Sequence, residues 1–265
     1  MMLTLRNVTV TFNASTPNEI TALNNISLDV EAGDFITVIG ANGAGKSSLF
    51  NVIAGSVPLD KGKIILDQID VTDWAEYRRS LHIGRVFQNP AIGTCPGLTI
   101  RENLSLAALR GKRLGFAAGV KDSNQQWFYE LVRSVNLGLE TRLDTDVSLL
   151  SGGQRQAISL IMATMMRPKL LLLDEHTAAL DPNASSQVID LTVKLARENG
   201  LTVIMITHSM QQAAAIGNRV LMMNRGRILA DITGAERANL QYGDLIDLFR
   251  KLHSASELTD RAVLS

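Results

Sequence analysis

Gly40-Ala-Asn-Gly-Ala-Gly-Lys46-Ser47 decides the fold, because it joins a short apolar run at residues 34–40 to a segment with helical spacing. Glycines let backbone amides turn inward around phosphate oxygens, and the N-terminus of the following helix adds favourable partial charge. Lys46 would reach the β and γ phosphates of a nucleotide, and the Ser47 hydroxyl would coordinate Mg²⁺. The stretch therefore predicts a phosphate-binding loop between a buried strand and a helix.

Strand and helix patterns alternate on both sides of this loop. Short apolar and β-branched runs indicate strands, and apolar residues spaced three or four apart indicate helices. Their alternation predicts βαβ units and an α/β core. Predicted strands cover residues 3–12, 21–30, 34–40, 63–67, 83–87, 170–174, 202–207, 220–224 and 227–231, and predicted helices cover 46–54, 99–109, 125–135, 154–166, 184–199 and 242–253.

Composition and charge exclude several classes of protein. The 265 residues include 26 Lys and Arg against 26 Asp and Glu, so the chain has no broad positive field for coating a nucleic acid. A single cysteine, Cys95, excludes an internal disulfide and a cysteine metal cluster. The apolar run 170–173 is far shorter than the roughly 18 residues of a membrane span, and the N-terminus lacks a signal-peptide pattern. We therefore expect a soluble, cytoplasmic chain.

Two carboxylates, Asp174 and Glu175, follow the apolar run 170–173. Open α/β sheets bind their ligands at the carboxyl ends of strands. Asp174 is therefore a candidate Mg²⁺ ligand, directly or through water, and Glu175 is a candidate general base for an attacking water. Taken alone, the pair also fits solvated charges at a strand end.

Leu150-Ser-Gly-Gly-Gln154 is the most specific motif in the chain. With the phosphate-binding loop and the acidic pair, in this order, it resembles the signature of ATP-binding cassette (ABC) proteins. The stretch 174–181, Asp-Glu-His-Thr-Ala-Ala-Leu-Asp, is similar to that family's second acidic motif and the dimer-interface loop after it. Gln88 matches the family's glutamine loop, and His208 matches its switch histidine. The resemblance covers essentially the whole chain.

This resemblance implies an α/β fold with a P-loop NTPase (RecA-like) core, an antiparallel β subdomain and an inserted α-helical subdomain. It implies one ATPase domain over residues 1–252, in which the core and β subdomain comprise about 1–89 and 156–235. The helical subdomain is expected over about 90–155. Residues 236–265 are expected to form a short C-terminal helix and tail without a regulatory domain.

The resemblance also implies roles for individual residues. Hydrolysis of ATP is assigned to Glu175, His208 and Gln88, and Mg²⁺ is assigned to Ser47, Gln88 and Asp174. The signature motif is expected to act on ATP held by the other subunit, and Asp181 to join the two halves. The residues expected to contact ATP are Phe12, Gly40, Asn42, Gly43, Ala44, Gly45, Lys46, Ser47, Ser48, Ser151, Gly152, Gly153, Gln154 and Asp181.

Three positions depart from the family's common residues. Phe12 stands where the adenine-stacking aromatic is more often Tyr. His176 and Ala178 stand where many members carry Pro and Ser. Both lie beside the catalytic carboxylate without replacing it, so we expect ATPase activity to be retained.

Three classes of protein compete for this sequence: the ATPase subunit of a membrane transporter, a soluble cassette protein acting on nucleic acid or ribosomes, and a non-cassette enzyme such as a small-molecule kinase. The signature motif disfavours the kinase. The long coiled coils, zinc modules or second cassette of most soluble cassette proteins are not found. We therefore expect a transporter ATPase, with a soluble cassette ATPase or the ATPase of an exporter as the alternatives.

The runs 83–94 and 149–157 look like those of a bacterial group of importer ATPases. Membership implies a head-to-tail dimer with a second copy, integral-membrane permease subunits contacting residues 89–102, and indirectly a periplasmic or lipoprotein binding protein. It also implies a place on the cytoplasmic face of the inner membrane and amino acids, aromatic ones in particular, as cargo. No nucleic-acid partner is expected, because the basic stretch Arg110-Gly-Lys112-Arg113 contains no stacking aromatic and is predicted to lie in a solvated loop.

Overall fold

The computed structural model describes residues 1–112 and 122–263, with the side chains of the last helix described up to Leu252. The chain divides into two compact units. The first comprises Met1–Arg79 and the segment from Val203 onward, and the second comprises Ser80–Thr202. The predicted helical subdomain at 90–155 lies within the second unit, and its limits stay a prediction.

Strands and helices are numbered here in chain order over the described residues. The strands are β1 (Leu3–Phe12), β2 (Ile20–Val30), β3 (Phe35–Gly40), β4 (Lys61–Leu66), β5 (Ile69–Asp70), β6 (Ile83–Val86), β7 (Leu170–Asp174), β8 (Thr202–Ile206), β9 (Arg219–Asn224) and β10 (Arg227–Ile232). The helices are α1 (Lys46–Ala54), α2 (Glu76–Arg79), α3 (Ile100–Ala108), α4 (Gln125–Arg133), α5 (Gly152–Thr164), α6 (Pro182–Glu198), α7 (Met210–Ala215), α8 (Gly234–Asn239) and α9 (Tyr242–Val263).

The first unit contains an antiparallel sheet and a group of mostly parallel strands. The antiparallel sheet has the order β2-β1-β4-β5. In the second group, β3 pairs in parallel with β8 on one side and with β9 on the other, and β10 completes a hairpin with β9. β3 and β8 are buried almost throughout, as expected of parallel strands covered on both faces. This arrangement brings the carboxyl ends of β3 and β8 to one edge.

Helices complete the core of the first unit. Ile39 of β3, Val220 and Met222 of β9, and Leu245 of α9 share one buried apolar cluster. Leu248, Phe249 and Leu252 pack against it from the same face of α9, at the three- and four-residue spacing of a helix. The C-terminal helix is therefore part of the core of this unit.

Over the described residues of the second unit, two parallel strands combine with four α-helices. β6 pairs with β7, and the four leucines of β7 are completely buried. α3 and α5 each begin with a capping box, in which the N-cap side chain and the third helical residue bond each other's backbone amides. These boxes fix where both helices begin.

The structure differs from the sequence prediction mainly in short elements. β5, α2, α7 and α8 span two to six residues each and were not predicted, because so few residues carry no readable period. α5 begins at Gly152 instead of residue 154, because the capping box at Ser151 extends it. α9 continues to Val263, beyond the short helix predicted at 242–253.

The helices were also compared with the requirements of a membrane span. Within residues 1–112 and 122–263, no helix combines the length and the apolar character that crossing a bilayer requires.

The predicted basic loop is described only in part. Residues 113–121, which hold part of this loop, lie outside the described residues. Arg110, at the start of that loop, donates a hydrogen bond to the Ala163 carbonyl oxygen (3.3 Å), and burial lowers its pKa. The prediction of a solvated loop is therefore wrong for Arg110.

Candidate active site

The predicted phosphate-binding loop connects β3 to α1 as expected. Gly45 has φ 97°, and a Cβ there would lie 2.5 Å from the Ala22 carbonyl oxygen. A Cβ at Gly40 would lie 2.4 Å from the Met223 carbonyl oxygen. No larger residue fits either position without moving backbone, so the two glycines that bracket the loop are required by its packing as well as by its turn.

Lys46, the first residue of α1, folds back over the loop. Its side chain is buried, with Nζ 2.9 Å from the carbonyl oxygen of Gly40 and 3.1 Å from that of Ala41. A buried ammonium needs such partners, because transfer from water without them is unfavourable. The bonds hold the positive charge at the start of the loop, where it can meet a phosphate.

The N-terminus of α1 is suited to an anion. Its N-cap, Gly45, makes no side-chain capping bond, and its first turn contains no acidic residue. The first amides of a helix lack partners within the helix and carry partial positive charge. Ser47 is exposed in this turn and Ser48 is half-buried, whereas Ala44 of the loop is buried and Asn42 and Gly43 are exposed. The loop therefore fits a phosphate at a helix N-terminus.

His208 lies at the same edge as this loop. β8 ends two residues before it, and Val38 of β3 is in register with Ile206 of β8. The turn is held by Thr207, whose hydroxyl donates to the Gln212 side chain (2.7 Å) and accepts from the Ser209 amide (3.0 Å). His208 is exposed on this turn.

Phe12 is the last residue of β1 and is 39% exposed. It pairs with Ile20, the first residue of β2, and the Ala22 carbonyl oxygen of the same strand lies against Gly45. The strand pair that carries Phe12 therefore reaches the phosphate-binding loop. Stacking of its ring on adenine stays a prediction.

In the second unit, Gln88 lies two residues after β6, and Asp174 is the last residue of the neighbouring parallel strand β7. Val86 of β6 is in register with Leu173 of β7, which places both residues at one edge. Gln88 is exposed, and Asp174 is half-buried with Oδ2 3.5 Å from a guanidinium nitrogen of Arg85. Arg85 also lies over the Phe87 ring, 4.7 Å from its centroid. The sequence analysis missed Arg85, although a charge inside an apolar strand was a signal.

The three predicted Mg²⁺ ligands offer a hydroxyl, an amide and a carboxylate. Oxygen donors of this kind suit Mg²⁺, which takes few protein ligands and completes its octahedron with phosphate and water. Among the described residues, no cluster of three or more His, Cys, Asp or Glu side chains is placed to hold a metal. By donor chemistry, Ser47, Gln88 and Asp174 each fit a nucleotide-bound Mg²⁺, and their assignment to it stays a prediction.

Glu175 has an uncommon backbone conformation, with φ 47°. A left-handed non-glycine residue costs about 1–3 kcal/mol and persists only where the surrounding structure enforces it. The amide of Ala178 donates to the Glu175 carbonyl oxygen (2.9 Å), which closes a turn directly after β7.

His176 is buried in the core of the second unit. Burial lowers the pKa of its imidazole to about 4, so the ring is neutral at physiological pH. Its Nε2 lies 3.0 Å from the Thr192 hydroxyl oxygen on α6. The sequence analysis identified His176 only as a departure from the family and missed this contact.

The signature motif lies at the N-terminus of α5. Ser151 is the N-cap; its Oγ accepts from the Gln154 amide (3.3 Å), and the Gln154 side chain accepts from the Ser151 amide (3.2 Å). Ser151 and Gly152 are exposed, whereas Gly153 is buried against α6, where an added Cβ would lie 2.8 Å from the Ala184 Cβ. The motif thus presents a hydroxyl and amides on one side and packs a helix on the other.

Asp181 caps α6. Its Oδ1 accepts from the amides of Asn183 (3.1 Å) and Ala184 (3.0 Å). The structure thus gives Asp181 a role within its own subunit, beside the predicted one at the dimer interface. Gly153 packs against Ala184 in the first turn of α6, and Asp181 bonds the amide of the same residue.

Comparison with known proteins places the chain in a family. The family model described as ABC transporter matches residues 23–178, more than half of the chain. The chain belongs to the ABC transporter family. This ABC protein binds and hydrolyses ATP as the ATPase subunit of a transporter, and the predictions of family, P-loop NTPase fold and ATP hydrolysis are confirmed.

Relatives of this ABC protein include transport ATPases and solved cassettes. It is 42% identical over 248 residues to the tyrosine transport ATP-binding protein of Clostridioides difficile, covering 94% of this chain and 98% of that protein. It is 34% identical over 236 residues to the methionine import ATP-binding protein MetN of Bartonella henselae, covering 87% of this chain and 64% of that protein. A solved dimeric cassette in a post-hydrolysis state, bound to ADP and Pi, matches with a TM-score of 0.75 at 29% identity, covering 88% and 98%. Homologous ABC ATPases work as dimers with membrane permease components.

Proposed function

We propose that this chain is the ATPase subunit of an importer of amino acids, aromatic ones in particular. The observation that carries the proposal is the similarity to the tyrosine transport ATP-binding protein along nearly the full length of both chains. The methionine import protein supports the same cargo class. The ATPase residues described above do not contact cargo, so the cargo is inferred from relatives alone.

Binding of ATP is proposed to use the first unit. The amides of the phosphate-binding loop and the first turn of α1 surround the β and γ phosphates, and Lys46 contributes its charge. Phe12 stacks on adenine. Mg²⁺ is held by Ser47, Gln88 and Asp174, and when bound it neutralises charge on the β and γ phosphate oxygens.

Hydrolysis is proposed to use Glu175 and His208. Glu175 accepts a proton from the attacking water, and His208 stabilises the charge that develops on the γ phosphate. The Ser151 hydroxyl and the amides of Gly152 and Gly153 contact the γ phosphate held by a second copy of this chain. Asp181 joins the two copies, so each nucleotide lies between them in a head-to-tail dimer.

Dimer closure is proposed to move permease subunits in the membrane. Residues 89–102, after Gln88, are the proposed contact surface on this chain. A periplasmic or lipoprotein binding protein delivers the amino acid on the far side. The chain itself is placed on the cytoplasmic face of the inner membrane through the permease.

Uptake by the reconstituted system tests the proposal. The full chain, its permease and its binding protein are placed in proteoliposomes containing ATP, and uptake of labelled tyrosine, phenylalanine, tryptophan, methionine, nucleosides and sugars is measured. Uptake of an aromatic amino acid supports the cargo. Failure with every amino acid, or ATPase stimulation by nucleic acid and not by the permease, contradicts the proposed function.

Glu175→Gln tests the assignment of the general base. The amide cannot take a proton from water, so we expect ATP binding to persist while turnover falls by about a thousandfold, within the range set by loss of a proton acceptor. Closed dimers should accumulate with ATP in size-exclusion chromatography. Near-normal ATPase activity in this variant would show that another group is the base.

A further inference from the structure

The residue after the proposed general base is anchored inside the protein. His176 is 1% exposed, and its Nε2 lies 3.0 Å from the Thr192 hydroxyl oxygen. Thr192 donates its own proton to the Val188 carbonyl oxygen (2.7 Å). A hydroxyl has one proton, so the Thr192 oxygen is the acceptor at the imidazole contact and Nε2 carries the hydrogen. His176 therefore donates a directed hydrogen bond to α6.

The loop that begins at Glu175 is fastened to α6 at two points. Asp181 bonds two amides in the first turn of the helix, and His176 bonds Thr192 further along it. The Ala178 amide bonds the carbonyl oxygen of Glu175, which has positive φ (47°). Thr177 is buried beside His176, and its carbonyl oxygen accepts from the Leu180 amide (3.2 Å), whereas Ala178 and Asp181 are exposed. The residue directly after Glu175 is thus held by a side-chain hydrogen bond to α6.

We infer that His176 is a positioning residue for Glu175, acting through its hydrogen bond to Thr192. The bond fixes the backbone next to Glu175, and so the direction of its carboxylate toward the attacking water. A small displacement of a catalytic group lowers turnover by large factors without the same effect on binding. Because the inference rests on Glu175 being the general base, the Glu175→Gln variant separates failure of that role from failure of this one.

Two substitutions at His176 distinguish positioning from packing. His176→Gln keeps an N–H at a similar reach from the backbone, and His176→Leu fills the site with an apolar side chain that cannot donate. If the histidine serves only to fill the core, Leu is the better replacement. If the histidine positions Glu175, Gln is the better replacement, because it can still donate a hydrogen bond. We expect kcat within about threefold of the wild type for Gln and at least tenfold lower for Leu.

The partner substitution and a matched control complete the test. Thr192→Val removes the acceptor, and Thr192→Ser keeps it. Thr164 is a buried threonine on α5 that donates to the carbonyl oxygen four residues earlier (2.8 Å), as Thr192 does. Thr164→Val therefore reproduces the loss of a buried hydroxyl away from Glu175. We expect kcat to fall at least tenfold only for Thr192→Val.

The measurements are steady-state ATPase activity of the full chain with Mg²⁺, equilibrium binding of ATP in EDTA, and the melting temperature. The inference requires lower kcat with ATP affinity unchanged within about twofold for His176→Leu and Thr192→Val, and a double variant no worse than either single one. Normal kcat in His176→Leu, additive losses in the double variant, or equal losses in Thr164→Val each overturn it. If His176→Leu does not fold, the contrast between Thr192→Val and Thr192→Ser decides, with equal activities overturning the inference.

Discussion

Two helix N-termini, those of α1 and α5, are both assigned to phosphate groups, yet they are built in opposite ways. α1 has a glycine N-cap in left-handed conformation, no side-chain capping bond and no acidic residue in its first turn. α5 has a serine N-cap engaged with Gln154 in a complete capping box. α1 leaves its amides for a ligand, whereas α5 bonds the Ser151 and Gln154 amides within its own capping box and offers a serine hydroxyl that still has its proton to donate.

The difference in capping indicates which nucleotide each helix N-terminus is suited to bind. An end without a cap depends on its ligand, and so suits the nucleotide that the subunit itself binds. A capped end is stable without a ligand, and so suits a nucleotide that arrives with another subunit. Three substitutions, the first with a matched control, test this contrast from the largest expected effect to the smallest.

Gly45→Ala should abolish the site at α1. The new Cβ would lie 2.5 Å from the Ala22 carbonyl oxygen at a backbone angle that L-residues rarely adopt, so the loop must shift. We expect ATP affinity, measured by isothermal titration, to fall more than about a hundredfold, which corresponds to about 3 kcal/mol.

Gly97→Ala is the matched control for this change. Gly97 has φ 80°, but a Cβ there meets nothing within 4 Å, and it lies outside the phosphate-binding loop. We expect a loss of about 1 kcal/mol in the free energy of unfolding and unchanged ATP affinity. Equal ATP affinities in the two variants would remove the argument that Gly45 is required by packing.

Ser151→Ala should act on turnover and leave nucleotide binding to the isolated chain intact. Removing one preorganised donor to a developing negative charge lowers kcat by about a hundredfold, while α1 and its loop are unchanged. The lost N-cap should also lower the free energy of unfolding by about 1 kcal/mol. ATPase assays and ATP titration of the same preparation measure both effects, and a parallel loss of ATP affinity would contradict the division of labour between α1 and α5.

Thr99→Ala should change stability alone. Thr99 caps α3 in the same kind of box with Glu102 and has no assigned role toward phosphate. We expect a loss of about 1 kcal/mol, as for Ser151→Ala, with kcat of the isolated chain unchanged. Urea denaturation and ATPase assays compare the Ser151 cap of α5 with the Thr99 cap of α3. A lower kcat in Thr99→Ala would indicate that any weakened cap slows the enzyme.

The long periodic elements were predictable from sequence, and the short ones were not. α1 and β7 have the bounds predicted, since their apolar patterns end at glycine or at charged residues. α7 and α8 have six residues each, which is less than two full turns, so their spacing carries little information. α9 continues beyond its prediction, which followed the apolar period of Leu245, Leu248, Phe249 and Leu252.

The candidate site shows the same limit at the level of single residues. The order and spacing of the motifs predicted which residues carry the chemistry. The pairing of Arg85 with Asp174 and of His176 with Thr192 joins positions 89 and 16 residues apart, whose proximity depends on strand register and helix packing. No local pattern contains that information.

The sequence by itself determined the phosphate-binding loop, the signature motif and the acidic pair, because glycine placement and side-chain chemistry are local properties of the chain. Tertiary structure alone decided that Glu175 adopts a left-handed turn and that His176 is held in the core. A strained backbone angle persists only when the surrounding structure enforces it, and the residue next to Glu175 contacts α6, which the chain reaches after the motif is complete.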